Sequence, residues 1–357
     1  MTMALLTKPV AVRLVDLRDV RERLRVEVFV RAHLAGTPFH LPKWSLGVAE
    51  GCRQTCHLLV AEQANGGLAG ILPMTEIQSR LFGKALISNG FAVGGGILAE
   101  DLAAIAPLAE AAVTLAAQRG CATLELRGGP VPEGAWAEDA ETYLGFVRAI
   151  PESEAAILAA IPRKQRAEVR KALDGALTVS VGTSTEDRRA HYAVYAESVR
   201  NLGTPVFPRR LFDAVLDRFG ADCDILTVRS DGTPVASVLS LYFNGTVYPY
   251  WGGGTQAARA LRANDRMYFA LMAHASERGC SRFDFGRSKA GTGPAAYKKT
   301  WGFEPTPLVY AKHVAPGAEA REVNPLDPRY ARKIDLWKKL PLWVANAVGP
   351  HISRGLG

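Results

Sequence analysis

The densest group of residues that could do chemistry lies in the run RFDFGRSKAGTGPAAYKKTWGFEP, from Arg282 to Pro305. Its alternating start predicts a strand, and the proline that follows the glycines suits the first turn of a short helix over 294–300. A loop that leaves the carboxyl end of a strand and opens a helix is a common place for a ligand. Asp284 and the two consecutive lysines, Lys298 and Lys299, are therefore candidates for proton transfer or for stabilising negative charge.

These residues also have plainer interpretations. Asp284 could pair along its strand with Arg282 or Arg287, and the two lysines could form a solvated helix end. The sequence leaves both interpretations open.

A second group lies in the strand TVYPYWGGG, which begins at Thr246. Pro249 cannot donate a ladder hydrogen bond, so we expect a sheet edge or a bulge at this point. The glycines 252–254 could offer backbone N–H groups to an anion. Together with Tyr297 from the first group, the aromatic residues Tyr248, Tyr250 and Trp251 of this strand could line a channel. Core packing is the expected role of at least two of these four.

The segment SVRNLGTPVFPRRLF contains polar residues that a hydrophobic core does not require. Arg200, Asn201 and Thr204 surround a Gly-x-Pro turn. They could contact a substrate, or they could form a hydrogen-bonded loop.

Positive charge is concentrated between the two halves of the chain. From Arg163 to Lys171 there are five basic residues and one acid. A helix interrupted near Pro162 would place Arg163, Arg166 and Arg170 on one face, beside Lys164. This face could be a solvated surface or a site for the phosphate of a nucleotide or a tRNA.

The whole sequence describes a globular protein and excludes several other classes. It has 357 residues, 48% of them hydrophobic, and 43 Lys and Arg against 35 Asp and Glu give a formal net charge of +8. No segment reaches the 18 apolar residues of a membrane span, and glycine and proline follow no period. Five cysteines suit reduced thiols, and Cys52, Cys56 and His57 lack a second pair at zinc-like spacing, so we expect no metal site. The N-terminus shows no signal peptide, so we expect a cytoplasmic protein.

An internal repeat organises the chain. HLLVAE, then GGG at 94–96, an alanine-rich helical run and RGCATLELRGG are followed later by DILTVR, GGG at 252–254, a helical run and RGCSRFDFGRS. The last glycine of each triplet lies 25 residues before the cysteine in one copy and 26 in the other. Each copy predicts a β-hairpin, a strand with a glycine turn, an amphipathic helix and a further strand. We therefore expect two duplicated α+β units, with the triplets in equivalent turns.

The predicted division has four parts. Residues 1–150 form the first unit, residues 151–174 a basic linker helix, residues 175–315 the second unit and residues 316–357 a basic amphipathic tail. Glu125 occupies the place of Asp284 in the first copy but no YK..WG pattern follows it, so we expect catalysis in the second unit and a degenerate first unit.

The pattern FDFG…YK..WGF resembles the closing motif of the acetyltransferase-like domains of FemAB-type proteins. IPRKQRAEVRKAL, SVRNLGTPVFPRRLF, YWGGGT and the tail NPLDPRYARKIDLWKKLPLWVANAVGPHISRGLG resemble the FemAB-related proteins of PEP-CTERM/exosortase and exopolysaccharide loci. This resemblance implies tandem GNAT-like domains, each with a mixed, mostly antiparallel sheet flanked by helices. It also implies transfer of an acyl or aminoacyl group to an amine in cell-envelope or exopolysaccharide synthesis.

The resemblance also implies roles for single residues. Lys298 follows the motif aromatic Tyr297 and would be the cation that faces developing negative charge, with Asp284 as the nearby proton acceptor. Arg287 and Ser288 would contact substrate beside the channel. The coenzyme A loop of GNAT proteins, Q/R-x-x-G-x-G/A, is absent where GGGTQAARALRAND stands, so a pyrophosphate site of that kind is not expected.

The expected co-substrate is an acyl thioester or an aminoacyl-tRNA, with no bound cofactor. The acceptor would be an amine-bearing small molecule, a saccharide or a lipid, and an acyl carrier protein or a tRNA would be the macromolecular partner. The alternative is a non-catalytic adaptor of the exopolysaccharide or PEP-CTERM machinery. Aromatic and basic residues in the tail favour peripheral contact with the inner membrane, although packing of the tail on the body explains the same residues.

Overall fold

The chain forms two compact units in the computed structural model, which describes residues 10–79, 81–321 and 328–357, without the side chains of 328–330. Unit 1 takes the described residues of Met1–Ala140, Val309–Val323 and Arg354–Gly357, and unit 2 those of Glu141–Leu308 and Asn324–Ser353. The extreme N-terminus and positions 322–327 of the predicted tail lie outside the described residues.

Unit 1 is a mixed sheet with flanking helices. Its strand order is β1-β2-β3-β4-β6-β16-β7, with β5 beside β3, and β4 and β6 are parallel. Numbered along the whole chain, its elements are β1 (Ala11–Leu14), α1 (Val20–Ala32), α2 (Pro42–Cys52), β2 (Thr55–Glu62), β3 (Leu68–Ser79), β4 (Gly83–Ser88), β5 (Leu98–Ala99), α3 (Ile105–Gln118), β6 (Thr123–Arg127), β7 (Ala137–Asp139) and β16 (Tyr310–Val314).

Unit 2 has the same kind of sheet. Its strand order is β14-β8-β13-β12-β11-β10-β9, with β15 beside β8, and β12 and β13 are parallel. Its elements are β8 (Tyr143–Ala149), α4 (Glu154–Ala160), α5 (Arg163–Leu173), β9 (Thr178–Gly182), α6 (Thr185–Leu202), α7 (Arg209–Phe219), β10 (Cys223–Ser230), β11 (Thr233–Phe243), β12 (Thr246–Gly254), α8 (Ala258–Leu261), α9 (Ala263–Glu277), β13 (Arg282–Asp284), β14 (Ser288–Lys289), α10 (Gly293–Thr300), β15 (Pro305–Pro307), α11 (Pro328–Lys339) and α12 (Leu342–Ser353).

The two sheets share one topology, as the repeat predicts. The run β1-β2-β3-β4-β6 of unit 1 corresponds to β9-β10-β11-β12-β13 of unit 2. In both, a hairpin leads to a strand, a crossover helix follows, and the next strand pairs parallel with the one before the helix. The α+β class with two mixed sheets flanked by helices is therefore confirmed.

A buried carboxylate fixes the end of the crossover helix in both units. Arg119, at the C-terminus of α3, binds the buried Glu76 with 2.7 Å between Nε and Oε2. Arg278, at the C-terminus of α9, lies 3.6 Å from the buried Asp224. Both arginines open an RGC motif, so this motif marks where the helix is attached to the sheet. A cation at a helix C-terminus also suits the helix dipole.

The boundaries between the units differ from the predicted ones because the two sheets exchange a strand. β8 comes directly after unit 1 in sequence, yet it pairs with β13 in the sheet of unit 2. β16 comes after the last strand of unit 2 and pairs with β6 in the sheet of unit 1. Residues 141–150 thus lie in unit 2, and residues 309–315 lie in unit 1.

The predicted linker helix is part of unit 2. It consists of α4 and α5, interrupted at Pro162 as predicted. Ile157, Ile161 and Val169 lie in the same buried cluster as Phe283 of the central sheet. The segment belongs to the core because its apolar face has a partner there.

The glycine triplets follow corresponding strands but differ in conformation. Gly94–Gly96 form a loop after β4, in which Gly95 has a φ of +105°. Gly252–Gly254 are instead extended residues that pair with β11. The prediction of equivalent turns is therefore wrong for the second triplet, because the longer β12 continues through it.

The C-terminal helices α11 and α12 meet at the predicted break, Pro341, and both pack on α6 or the turn after it. Ser353 Oγ donates a hydrogen bond of 2.8 Å to the Val206 carbonyl. None of the helices in the described part of the chain combines the length and apolar character needed to span a bilayer.

Candidate functional site

The sheet of unit 2 opens between its two parallel strands. β12 and β13 pair only at Thr246–Arg282 and Val247–Phe283. Beyond Val247, β12 shifts register against β11 beside Pro249, which confirms the predicted bulge. Ladder pairing between the two strands therefore ends after Val247, and we call the unpaired interval between their carboxyl ends the cleft.

Asp284 and Lys298 lie together at the foot of this cleft. Asp284 is the last residue of β13, and one of its oxygens accepts the Gly286 N–H at 2.9 Å. Lys298 projects inward from α10 and is only 9% exposed. Its Nζ donates to the carbonyls of Gly286 and Arg287 at 3.1 and 3.0 Å. The neighbouring Lys299 is exposed, so α10 directs one lysine into the protein and the other outward.

Burial shifts both groups towards their neutral forms. Desolvation lowers the pKa of Lys298 to about 7, and Arg287 lowers it further while Asp284 opposes the shift. Desolvation also raises the pKa of Asp284, against the Gly286 N–H and the positive charge of Lys298. Both groups are therefore closer to their neutral forms than an exposed carboxylate and lysine would be, which suits acid–base work.

Aromatic rings surround the lysine. Its Nζ lies 5.2 Å from the ring centre of Phe146 and 5.3 Å from that of Phe285. These contacts stabilise an ammonium group that has lost most of its water. In its protonated form, Lys298 gives two of its three N–H bonds to carbonyls and keeps one donor for a further partner.

A polar network that the sequence did not reveal supports α10. The Tyr297 hydroxyl donates to Asp265 Oδ1 at 2.8 Å, and Gln165 Nε2 donates to the same oxygen at 2.7 Å. Thr300 Oγ1 donates to Gln165 Oε1 at 3.2 Å. Burial raises the pKa of Asp265, and burial with the nearby Asp265 raises that of Tyr297. The network ties α5, α9 and α10 together, so Tyr297 positions the lysine helix instead of lining an open channel.

The remaining aromatic candidates divide as expected between packing and the cleft. Trp251 is buried, and its ring centre lies 4.8 Å from that of Phe212 and 5.0 Å from that of Tyr250. Tyr248 directly follows Val247, the last residue of β12 that pairs with β13. Burial and the charge of Asp284 raise the pKa of Tyr248. Tyr248 is therefore the aromatic residue of β12 that shares the electrostatic environment of Asp284.

The glycines 252–254 serve close packing. A Cβ on Gly253 would lie 2.2 Å from Ser198 Oγ of α6, and one on Gly254 would lie 2.8 Å from Asn264 Oδ1. Glycine is needed here because α6 and the start of α9 approach the backbone of β12.

Arg287 and Ser288 lie on the loop that Lys298 holds. The guanidinium of Arg287 stacks 4.6 Å from the ring centre of Tyr143, and Ser288 is a buried residue of β14 paired with Leu144 of β8. Arg287 thus remains next to the cleft, whereas Ser288 is held in the sheet.

Arg200 and Asn201 lie at the C-terminal end of α6, and Thr204 lies just after it. Arg200 Nη1 donates to the Lys338 carbonyl of α11 at 3.0 Å, while Asn201 and Thr204 are exposed. The structure therefore places Arg200 against α11.

The basic face of α5 is largely exposed. Arg163, Lys164 and Arg170 face solvent, and Arg166 donates to the Ala159 carbonyl at 2.9 Å. The buried face of the same helix carries Gln165, so α5 is joined to the helices that frame the cleft.

Comparisons with known proteins agree with this geometry. Residues 162–299 match the family described as "Acetyltransferase (GNAT) domain". A search of curated proteins finds no match for the chain.

Several solved structures share the fold of the whole chain. FemX aligns over 85% of this chain and 97% of its own, with 14% identity and a TM-score of 0.67. A tandem GNAT protein from the clavulanic acid biosynthesis pathway aligns over 87% and 100%, with 12% identity and a TM-score of 0.58. L-PGS from Bacillus licheniformis aligns over 89% and 97%, with 12% identity and a TM-score of 0.51. The chain therefore shares the two-unit fold of FemX and of the tandem GNAT protein.

Proposed function

We propose that unit 2 catalyses transfer of an acyl or aminoacyl group to an amine. The observation that carries this proposal is the pair Asp284 and Lys298 at the foot of the cleft between β12 and β13, on an acyltransferase fold. The donor is an acyl thioester or an aminoacyl-tRNA.

In the reaction, the amine nitrogen attacks the carbonyl carbon of the donor and forms a tetrahedral oxyanion. Asp284 accepts the amine proton, directly or through water, since its raised pKa suits a general base. The unused N–H of Lys298 and the N–H groups of β12 that face the cleft stabilise the oxyanion. When the oxyanion collapses, the bond to the thiol or ribose oxygen breaks, and the leaving group takes the proton.

In the described residues of unit 1, the corresponding parallel strands stay paired to the end of β4, which supports a non-catalytic role for this unit. β4 and β6 remain paired over four residues, from Ala85–Thr123 to Ser88–Leu126. Asn89, in the loop after β4, is bonded to neighbouring elements: its Nδ2 donates to Ser45 Oγ of α2 at 2.9 Å, and Thr75 Oγ1 of β3 donates to Asn89 Oδ1 at 2.7 Å.

The acceptor is an amine on a small molecule, a saccharide or a lipid of cell-envelope, exopolysaccharide or PEP-CTERM/exosortase metabolism. The resemblance of IPRKQRAEVRKAL and of the tail to that group of FemAB-related proteins supports this setting. A structural neighbour described as the C-terminal domain of a putative lysylphosphatidylglycerol synthetase from Agrobacterium fabrum supports a lipid as one member of the acceptor class.

A non-catalytic adaptor is the alternative. An adaptor would have no use for a buried lysine near a half-buried carboxylate, since desolvating such charges is costly. The geometry therefore favours an enzyme.

The test is mass spectrometry of the purified protein with three donor classes, acyl-CoA, acyl-carrier protein and aminoacyl-tRNA, each mixed with a panel of amines. We expect one donor class to be consumed with formation of an amide, and Lys298→Met to abolish the product while Lys299→Met retains it. No amide with any donor, together with stable binding of a protein partner by both variants, would support the adaptor.

A further inference from the structure

The described residues of helices α11 and α12 pack on the end of α6 and the turn after it. On α11, Ile334 and the stem of Lys338 surround Gly203 at the end of α6. On α12, Gly349 packs on Val206, directly after α6. The opposite faces of both helices therefore point away from α6.

The outward face of α11 combines a leucine with two cations. Arg332, Leu336 and Lys339 follow each other at intervals of four and three residues, which places them on one side of a helix. Leu336 is 64% exposed, and Arg332 and Lys339 are exposed as well. The exposed acid of this helix, Asp335, lies 4.0 Å from Lys338.

The outward side of α12 carries exposed apolar residues together with the exposed His351. Trp343 is 75% exposed and Val348 is 43% exposed, and Ala347, one turn after Trp343, is exposed too. A tryptophan left in water loses the large free-energy gain that burial of its ring provides. An exposed tryptophan, with exposed leucine, valine and cations on the same two-helix tail, is therefore typical of a surface that has a partner.

We propose that this tail surface, formed by Arg332, Leu336, Lys339, Trp343 and Val348, binds an anionic lipid bilayer. Tryptophan prefers the level of the headgroups, where its ring is in an apolar region and its N–H is hydrated. Arginine and lysine on the same surface attract anionic headgroups. The formal net charge of +8 adds long-range attraction to such a bilayer.

A second copy of this chain is a poorer occupant. It would bring the same arginine and lysine against those of the first copy, and like charges at an interface oppose association. The bilayer supplies both the apolar layer for Trp343 and the negative charge for Arg332 and Lys339.

The test uses the full chain and vesicles of phosphatidylcholine with or without an equal part of phosphatidylglycerol. We expect sedimentation with the anionic vesicles only, weakened by salt. Leu336→Ala with Trp343→Ala, and separately Arg332→Glu with Lys339→Glu, should each weaken binding at least tenfold. Matched controls are Leu34→Ala with Leu102→Ala, two exposed leucines of unit 1, and Arg18→Glu with Arg21→Glu, two exposed arginines of unit 1.

Three results would overturn the proposal. The wild type could fail to sediment with anionic vesicles, or the tail and control variants could lose binding equally. Size-exclusion chromatography could also show a dimer that Trp343→Ala dissociates, which would assign the surface to a second copy. The proposal does not depend on catalysis, because vesicle binding is measured without a substrate.

Discussion

Burial distinguishes Lys298 from Lys299, although the two are adjacent in the sequence. Successive helical residues point about 100° apart, so only one of them can face the cleft. The structure buries Lys298 and exposes Lys299, as the motif position of Lys298 indicates. Its role in catalysis remains a prediction.

We predict that Lys298→Met lowers kcat about a hundredfold with folding intact. A preorganised donor to an oxyanion is worth on the order of 3 kcal/mol, and methionine keeps the shape of the side chain without the charge. Lys299→Met should leave kcat within a few-fold. Steady-state kinetics with the donor class that is consumed in the mass-spectrometry test would check this, and equal losses in the two variants would contradict it.

The pKa of Lys298 predicts a pH dependence of stability. The folded pKa of about 7 lies below the ordinary value of 10.5, so above pH 7 the unfolded chain binds the proton that the folded chain has released. The free energy of unfolding should therefore rise with pH in this range, by about 1 kcal/mol per pH unit from this group.

Urea unfolding at pH 6.5, 7.5 and 8.5 measures this contribution as the difference between the wild type and Lys298→Met. The difference should change with pH for Lys298→Met and stay constant for Lys299→Met. A flat difference for both variants would mean that Lys298 keeps its proton when folded.

The polar network behind Lys298 could not be predicted from the sequence. Gln165 and Asp265 are 100 residues apart, and neither belongs to a motif. Their contact depends on how α5 packs on α9, which local patterns do not determine. By contrast, Asp284 and Lys298 were identifiable because both lie in one short run around a loop.

At the level of elements, the bulge in β12 followed from one residue, Pro249, whose missing N–H is a local property. The position of α5 in the fold could not be predicted from single residues in this way. Its charged face indicated a linker or a ligand site, whereas its buried face, with Val169, shows that it belongs to the core of unit 2. Amphipathicity shows that a helix has a partner but does not say which one.

The exposed basic face of α5 predicts a site for the phosphate of the donor. Replacing Arg163 and Arg170 by glutamine should raise the KM for a phosphate-bearing donor several-fold and reduce its dependence on salt, since fewer ionic contacts remain to be screened. Arg18→Gln with Arg21→Gln, in unit 1, is the control for a general change in charge. If the KM is the same in the wild type and in the Arg163 and Arg170 variant, the basic face of α5 is a solvated surface and not a phosphate site.

At the level of the whole molecule, the repeat predicted the topology of both sheets but not their ends. β8 and β16 lie at corresponding places, each beside the last parallel strand of a sheet, yet each follows the other unit in sequence. Nothing in the strands themselves distinguishes pairing with the preceding unit from pairing with the other one, because an edge strand needs only a matching partner. The strand exchange is evident only from which strands pair with each other in the two sheets.

This exchange predicts where the chain can be cut. A fragment of residues 141–353 contains β8, whereas a fragment of 151–353, which starts at the boundary that the sequence indicated, lacks it. Without β8, the strands β13, β14 and β15 lose their shared partner, and the fully buried Phe146 beside Lys298 is missing from the core. Loss of a buried phenylalanine alone costs about 3–5 kcal/mol, which is a large part of the stability of a domain. We therefore expect cooperative thermal unfolding by circular dichroism for the longer fragment and none for the shorter one. Equal cooperativity in the two fragments would show that β8 is dispensable for the fold of unit 2.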